Sequence, residues 1–277
     1  TLNTAATPLT TSEFFTGYRR QSVFANLNYN YDSKYILSAI ARYDGSSRFG
    51  ANYRYGLFPS LRFAWNLDNE KFLADASWIN SLRFRASYGI TGNDQIGNFD
   101  GLGLYGAAAP YSGQPGITFS QLANPELRWE KNRTANLGLD FSFFDNKVFG
   151  SLEAYDKITA DLLLSQPLQL TTGFGSITRN VGQIQNRGIE LTLGIQPVRS
   201  LKPGGFNWTS TFIFTFNHNR VRKLYDGLQE LPGNPSTRVN RSLGSVFTQK
   251  YAGVNAATGR PMWLDTLGNI TYQPVNR

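Results

Sequence analysis

The 277-residue sequence contains no cysteine and a single histidine, His218. Without thiols there is no disulfide framework, no thiolate zinc site and no cysteine nucleophile. One histidine also excludes a poly-histidine metal centre. Charge is scarce at 17%, against about 25% in ordinary soluble domains. No uninterrupted apolar run approaches the ~18 to 20 residues of a membrane-spanning helix. The first residues, Thr1-Leu2-Asn3-Thr4, carry neither a basic nor an apolar stretch, so no signal peptide is expected there. What the chain does hold is 20 Phe, 14 Tyr and 5 Trp, within a hydrophobic share of 40%. That is too apolar and aromatic for a disordered chain.

Alternation is the main pattern. Val23, Ala25, Leu27, Tyr29 and Tyr31 interleave with Asn26, Asn28 and Asn30. Leu37, Ala39, Ala41 and Tyr43 do so with Ser38 and Arg42, although Ile36 and Ile40 interrupt the polar phase. Further runs are Leu61–Leu67, Leu82–Ile90, Leu137–Phe143, Ile189–Ile195 and Trp208–Phe216. Period two over 8 to 12 residues, repeated along the chain, predicts two-faced strands and an all-β fold. Short links at Asp32-Ser33-Lys34 and Asp145-Asn146-Lys147 alternate with long Gly-, Pro-, Asn- and Ser-rich segments at 45–54, 92–125, 166–185 and from 223 onward. Such a meander is an antiparallel up-and-down arrangement.

A soluble sandwich and a transmembrane β-barrel both produce this alternation. Strand length, loop asymmetry and aromatic placement favour the barrel. Tyr31, Tyr35, Trp65 and Trp208 collect near the short-turn end, and Tyr43, Tyr55, Tyr88 and Trp129 near the long-loop end. Two such girdles mark the two interfaces of a bilayer. Leu37, Phe63, Phe84, Leu139, Leu191 and Phe214 are then expected to meet lipid. The opposite phase is expected to line a lumen, with Arg42, Asp44, Arg62, Arg83, Arg85, Asn136, Asp140, Glu190 and Asn217 as its candidate residues. Its arginines are expected to form a ladder with Asp44, Asp140 and Glu190. About eight strands are countable. They are expected to sit in a larger barrel, with the strand near 23–31 not closing on the strand near 207–217, because a narrow barrel would crowd that many charges.

Other motifs read plainly. Gly101-Leu102-Gly103-Leu104-Tyr105-Gly106 fits G-x-G-x-x-G, but no helical segment follows, so it reads as loop glycines. His218 has Asp226 near it in sequence but no nucleophile elbow, which leaves it a solvated or lumen-facing structural role. The net charge of +8 is dispersed among apolar residues and lacks the contiguous stripe of a nucleic-acid surface. Tyr105, Tyr111, Phe119, Phe174 and Trp263 offer rings for stacking on sugars or meeting a capping protein, or pack within large loops.

Several segments resemble the SusC/RagA family of TonB-linked outer-membrane transporters. They are Arg42-Tyr43-Asp44-Gly45-Ser46-Ser47-Arg48-Phe49-Gly50 followed by Phe58-Pro59-Ser60, and the strand from Asn80 to Asn93. Asn124-Pro125-Glu126-Leu127-Arg128-Trp129-Glu130 and Tyr155-Asp156-Lys157-Ile158-Thr159-Ala160-Asp161-Leu162-Leu163 follow in order. Asn180-Val181-Gly182, Asn186-Arg187-Gly188-Ile189-Glu190 and Thr258-Gly259-Arg260-Pro261 complete the series. The resemblance implies the later part of a 22-stranded barrel in the outer membrane of a Gram-negative bacterium, with residues 1–277 all within one barrel domain. The plug domain, the TonB box and the final strands are not among these segments. It further implies import of glycan or peptide fragments, with TonB and a SusD-like surface lipoprotein as partners and outer-membrane lipid around the wall. No cofactor, metal or enzymatic activity is expected. The alternatives are an outer-membrane barrel enzyme and a secreted β-rich adhesin or interaction module.

Overall fold

The computed structural model describes residues 15–273 other than 113, 201, 233, 247 and 266. Its centre is one antiparallel sheet of eight long strands: β1 (Arg20–Tyr31), β2 (Tyr35–Ser46), β3 (Tyr55–Asn66), β4 (Ile79–Asn93), β7 (Glu130–Phe143), β8 (Val148–Ala160), β11 (Gln183–Val198) and β12 (Trp208–Lys223). They lie side by side in that order, so the meander is as expected. The segments expected as long loops hold small hairpins: β5 (Leu104–Tyr111) with β6 (Gln114–Gln121), β9 (Leu163–Pro167) with β10 (Ser176–Asn180), and β13 (Glu230–Leu231) with β14 (Asn234–Arg238). A three-stranded piece of β15 (Lys250–Val254), β16 (Pro261–Leu264) and β17 (Ile270–Thr271) follows.

The short turns are set by local chemistry. Asp32 and Ser33 both take positive φ, and the Lys34 amide donates to Tyr31 O at 2.9 Å. That is the mirror-image turn whose twist suits a two-residue hairpin, and short polar residues tolerate it. A second turn, around 66–70, is tied to it. Tyr35 Oη and Trp65 Nε1 both donate to Glu70 Oε1, at 2.6 and 3.0 Å. Those two hydrogen bonds, with the Lys34 ammonium 3.6 Å away, hold the Glu70 carboxyl below the usual carboxylate range.

Through its middle the sheet keeps one continuous register, which shows what each face is made of. Tyr31, Tyr35, Trp65, Phe84, Leu139, Leu152, Leu191 and Phe214 form one rung from edge to edge. The next rung on that face is Tyr29, Leu37, Phe63, Ala86, Leu137, Ala154, Ile189 and Phe216. No described residue covers them. Leu37, Leu137, Ile189, Phe214 and Phe216 are all exposed. The buried hydrophobics among the described residues are Phe49, Phe58, Leu127, Trp129, Val221 and Leu224, all toward the long-loop end. A water-soluble sandwich would bury the apolar face; this sheet presents it.

The position of the apolar run holds over β1–β3 and shifts toward the short-turn end from β4 onward. On β1 it spans Val23–Tyr31, centred on Leu27. Leu27 is in register, strand by strand, with Ala135 on β7 and His218 on β12. The apolar runs on those strands centre instead on Leu139 and Phe212, four and six positions nearer the short-turn end. Six residues of ~3.3 Å rise over seven interstrand gaps of ~4.8 Å is a slope of roughly 30°. Strands that cross a flat apolar layer at such a tilt produce this offset, and barrel strands tilt by ~35 to 45°.

Two expectations need correction. Trp129 belongs to no interfacial girdle: it is 6% exposed and packs on Phe49 and Phe58, with ring centroids at 5.1 and 5.3 Å. The cause is a gap in the sheet. β3 and β4 pair only between Ser60↔Gly89 and Asn66↔Arg83, and part above Ser60. Phe58 and Trp129 fill the space beside Gly56 and Gly92, where an added Cβ would run into the Phe58 ring. The second correction is β8, which alternation did not reveal. Phe149 and Tyr155 stand in its polar phase and blur the pattern, for a reason found on that face.

Candidate functional site

All the candidate lumen residues fall on the face opposite the apolar rungs. Asn28, Ser38, Arg62, Ser87, Asn136, Tyr155, Gly188 and Asn217 form one polar rung, and Arg85, Gly138, Glu153 and Glu190 belong to another. Arg42 pairs with Asp44 at 3.1 Å. Arg85 forms a bidentate pair with Asp140 at 2.7 and 2.8 Å and reaches Glu153 at 2.6 Å. That reach crosses an entire strand, and Gly138 makes it possible: a Cβ there would lie 3.0 Å from Arg85 Nη2. Tyr155 repeats the device over Gly188, giving its hydroxyl to Asn217 Oδ1 at 3.0 Å, and the Phe149 ring lies over Gly194. Glycine in these strands therefore serves close approach by long side chains, which is why aromatics occupy the polar phase of β8.

The expected ladder is only partly built. Arg83 sits opposite Asp140 yet bonds Asn66 at 2.6 Å, leaving Asp140 to Arg85. Glu190 meets no arginine among the described residues and stands directly across from Glu153, a like charge. His218 is not lumen-facing: it shares the apolar phase with Leu27 and Tyr88, above the apolar run of β12.

Toward the long-loop end the polar face opens into a trough of about 540 Å³, lined by Arg20, Arg42, Asp44, Arg62, Thr91 and Asn93 among others. Its rim is organised by Asp94, a residue that sequence reasoning missed. Asp94 is 2% exposed; it binds Arg20 through both carboxylate oxygens and accepts from Ser46 Oγ at 2.8 Å. Arg48 donates to Asp94 O at 3.0 Å and to Asn98 at 2.9 Å, and stacks over Tyr18 at 3.9 Å. Asp94 thereby joins the start of β1, the end of β2 and the loop after β4. Asn180 is a second clasp, giving its amide to Arg128 O at 2.6 Å and Asp161 O at 3.0 Å while Arg128 N returns a bond to it. Both clasps link segments far apart in sequence, and neither leaves a local signature.

The candidate loop aromatics are dispersed. Tyr105 and Phe119 face each other across the β5–β6 hairpin at 4.3 Å and are largely exposed. Phe174 lies between β9 and β10, and Trp263 packs edge-on against Tyr251 at 6.4 Å. The side chain of Tyr111 lies outside the described residues. These rings occupy three separate small sheets and form no single platform among the described residues.

A two-faced antiparallel wall with short turns at one end and clasped loops at the other is the architecture of an outer-membrane barrel segment. Residues 1–276 match the family described as TonB dependent receptor-like, beta-barrel, and the chain belongs to it. It is 38% identical over 253 residues to TonB-dependent receptor P39 of Formosa agariphila, covering 91% of this chain and 24% of that one. With TonB-dependent receptor SusC of Bacteroides thetaiotaomicron it shares 36% over 214 residues, 74% of this chain and 21% of the other. The RagAB peptide importer in its open-open state superposes with a TM-score of 0.84 at 29% identity, over 99% of this chain and 30% of that one. The SusC/RagA resemblance of the sequence motifs is borne out. The chain spans about a quarter of the length of the curated relatives it matches.

Proposed function

We propose that this chain is the wall and long-loop rim of a TonB-dependent importer of glycan or peptide fragments, in the outer membrane of a Gram-negative bacterium. The observation that carries the reading is the pair of opposed faces. One has continuous apolar rungs with no core beneath among the described residues, and the other carries Arg85, Asp140, Glu153 and the Arg42–Asp44 pair. In lipid every backbone group must be paired. The free edges of β1 and β12 therefore meet further strands of the same barrel domain, and the polar face lines a lumen wide enough to keep Glu190 and Glu153 hydrated. The trough beneath the Asp94 clasp lies where cargo enters, and a SusD-like lipoprotein covers the long loops while TonB supplies the energy. The activity is transport, with no catalysis. The turns at 32–34 and 145–147 face the periplasm, and 92–125 and 166–185 face outward, since short turns are periplasmic in such barrels.

Single cysteines test the topology in the full receptor on intact cells, using a membrane-impermeant maleimide. Ser112→Cys should label from outside and Asn146→Cys only after the outer membrane is opened. Labelling of Asn146→Cys on intact cells with silence at Ser112→Cys overturns the orientation.

A further inference from the structure

Above the apolar band, the outer surface of the sheet differs from one half to the other. On β1–β3 the outward residues there are Gln21, Tyr43 and Tyr55, all uncharged, with the two tyrosine rings stacked at 5.2 Å. On β7 and β11 the same height carries Arg133 and Arg187. Both are exposed, and neither makes a hydrogen bond or ion pair among the described residues. Arg187 stands opposite Asp156, but Asp156 is engaged by Gln185 Nε2 at 2.8 and 2.7 Å. An arginine at a membrane boundary with no partner among the described residues has anionic headgroups within reach.

A second feature lies directly below. The apolar face has a groove of about 550 Å³ floored by Ala86, Ala135 and Ala154 and walled by Phe63, Tyr88 and Leu137. Its upper end is at Asp156, and Arg133 precedes Ala135 by two residues on the same face of β7, toward the long-loop end. Ala86 and Ala154 flank Leu137 in one rung and Ala135 lies beside Tyr88 in the next, and these small side chains leave the groove open among Phe63, Tyr88 and Leu137. At its upper end two guanidinium groups, without a partner among the described residues, outweigh one carboxylate, Asp156, that Gln185 already engages, so hydrocarbon lies below and net positive charge above, as a phosphorylated lipid requires.

We propose that this surface is a binding site for a phosphorylated glycolipid of the outer leaflet, with an acyl chain in the alanine groove and a phosphate between Arg133 and Arg187. The inference rests on the outer-membrane orientation given above, which the labelling experiment tests separately. If that orientation reverses, the proposed function falls, and the site then faces the inner leaflet and this inference falls with it. If the orientation stands, lipid binding alone decides the matter.

The experiment uses the full receptor in a neutral detergent, with binding read by native mass spectrometry. The probes are bis-phosphorylated lipid A, its dephosphorylated form, and inorganic phosphate alone. The phosphorylated lipid should bind, the dephosphorylated one more weakly, and inorganic phosphate not measurably. Arg133→Gln with Arg187→Gln should weaken the phosphorylated lipid about 30-fold, at roughly fivefold for each basic group near the surface, and high salt should have a similar effect. Ala154→Leu, which fills the groove without touching charge, should weaken both lipids. Arg62→Gln, on the opposite face, should change neither. Equal binding of the two lipids by the unaltered receptor overturns the proposal without recourse to any variant. Unchanged binding in both the arginine and the Ala154→Leu variants does so too.

Discussion

Arginine introduced along the apolar face provides a ruler for the membrane. Leu27, Leu139 and Phe212 stand in three different rungs, yet each centres the apolar run of its own strand. Tyr31 shares its rung with Leu139 but ends the run on β1. With strands tilted by roughly 30°, the first three lie near the bilayer midplane and Tyr31 lies at the short-turn interface. Arginine at the midplane of a barrel costs about 2 to 4 kcal/mol and near an interface about 0 to 1. Leu27→Arg, Leu139→Arg and Phe212→Arg should therefore each destabilise the full receptor by about 2 to 4 kcal/mol, and Tyr31→Arg by less than about 1. Asn136→Arg, beside Leu137 but on the polar face, should be close to neutral. The measurement is urea unfolding of the receptor folded into lipid vesicles, followed by tryptophan fluorescence and by mobility of the unheated barrel on gels. Equal costs at Tyr31 and Leu139 refute the tilt. Equal costs at Asn136 and Leu139 refute the assignment of faces.

Two other expectations follow from the turns and the glycines. Gly188→Ala places its Cβ against the Phe216 carbonyl and 2.7 Å from Tyr155 Oη, so backbone must move, at about 1 to 3 kcal/mol by the same unfolding assay. Gly138→Ala meets only the Arg85 side chain at 3.0 Å, which can give, so it should cost less than Gly188→Ala; the reverse order contradicts the account of these glycines. At the short-turn end, the lowered Glu70 pKa means its ionised form is favoured by folding. That contribution is full above the unfolded carboxyl value of ~4.3 and is lost as pH falls through the lower folded value. The gap in melting temperature between the unaltered receptor and Glu70→Gln should narrow below about pH 4; a gap independent of pH refutes the role given to Tyr35 and Trp65.

Periodicity alone was enough for seven of the eight long strands and for which of their residues share a face, because a side chain alternates with its neighbours wherever the sheet curves. Leu37, Phe84 and Phe214 lie on one side of this wall, and Arg42, Asp140 and Asn217 on the other, as alternation requires. The short turns were legible for a similar reason: Asp32-Ser33 carries its preference for positive φ in its own side chains. What the order of residues could not supply was reach. Arg85 reaches Asp140 and Glu153 because Gly138 lets it lie flat across β7, and Tyr155 and Phe149 hide β8 by doing the same over Gly188 and Gly194. Asp94 meets Arg20 across 74 positions, and Trp129 leaves the surface because β3 and β4 part at Ser60. The groove below Arg133 likewise exists only once Ala86, Ala135 and Ala154 come together around Leu137 on three neighbouring strands. Pattern within a strand is a local steric rule, whereas partners across strands depend on register and on the shape of the gaps between chains, which only the assembled sheet determines.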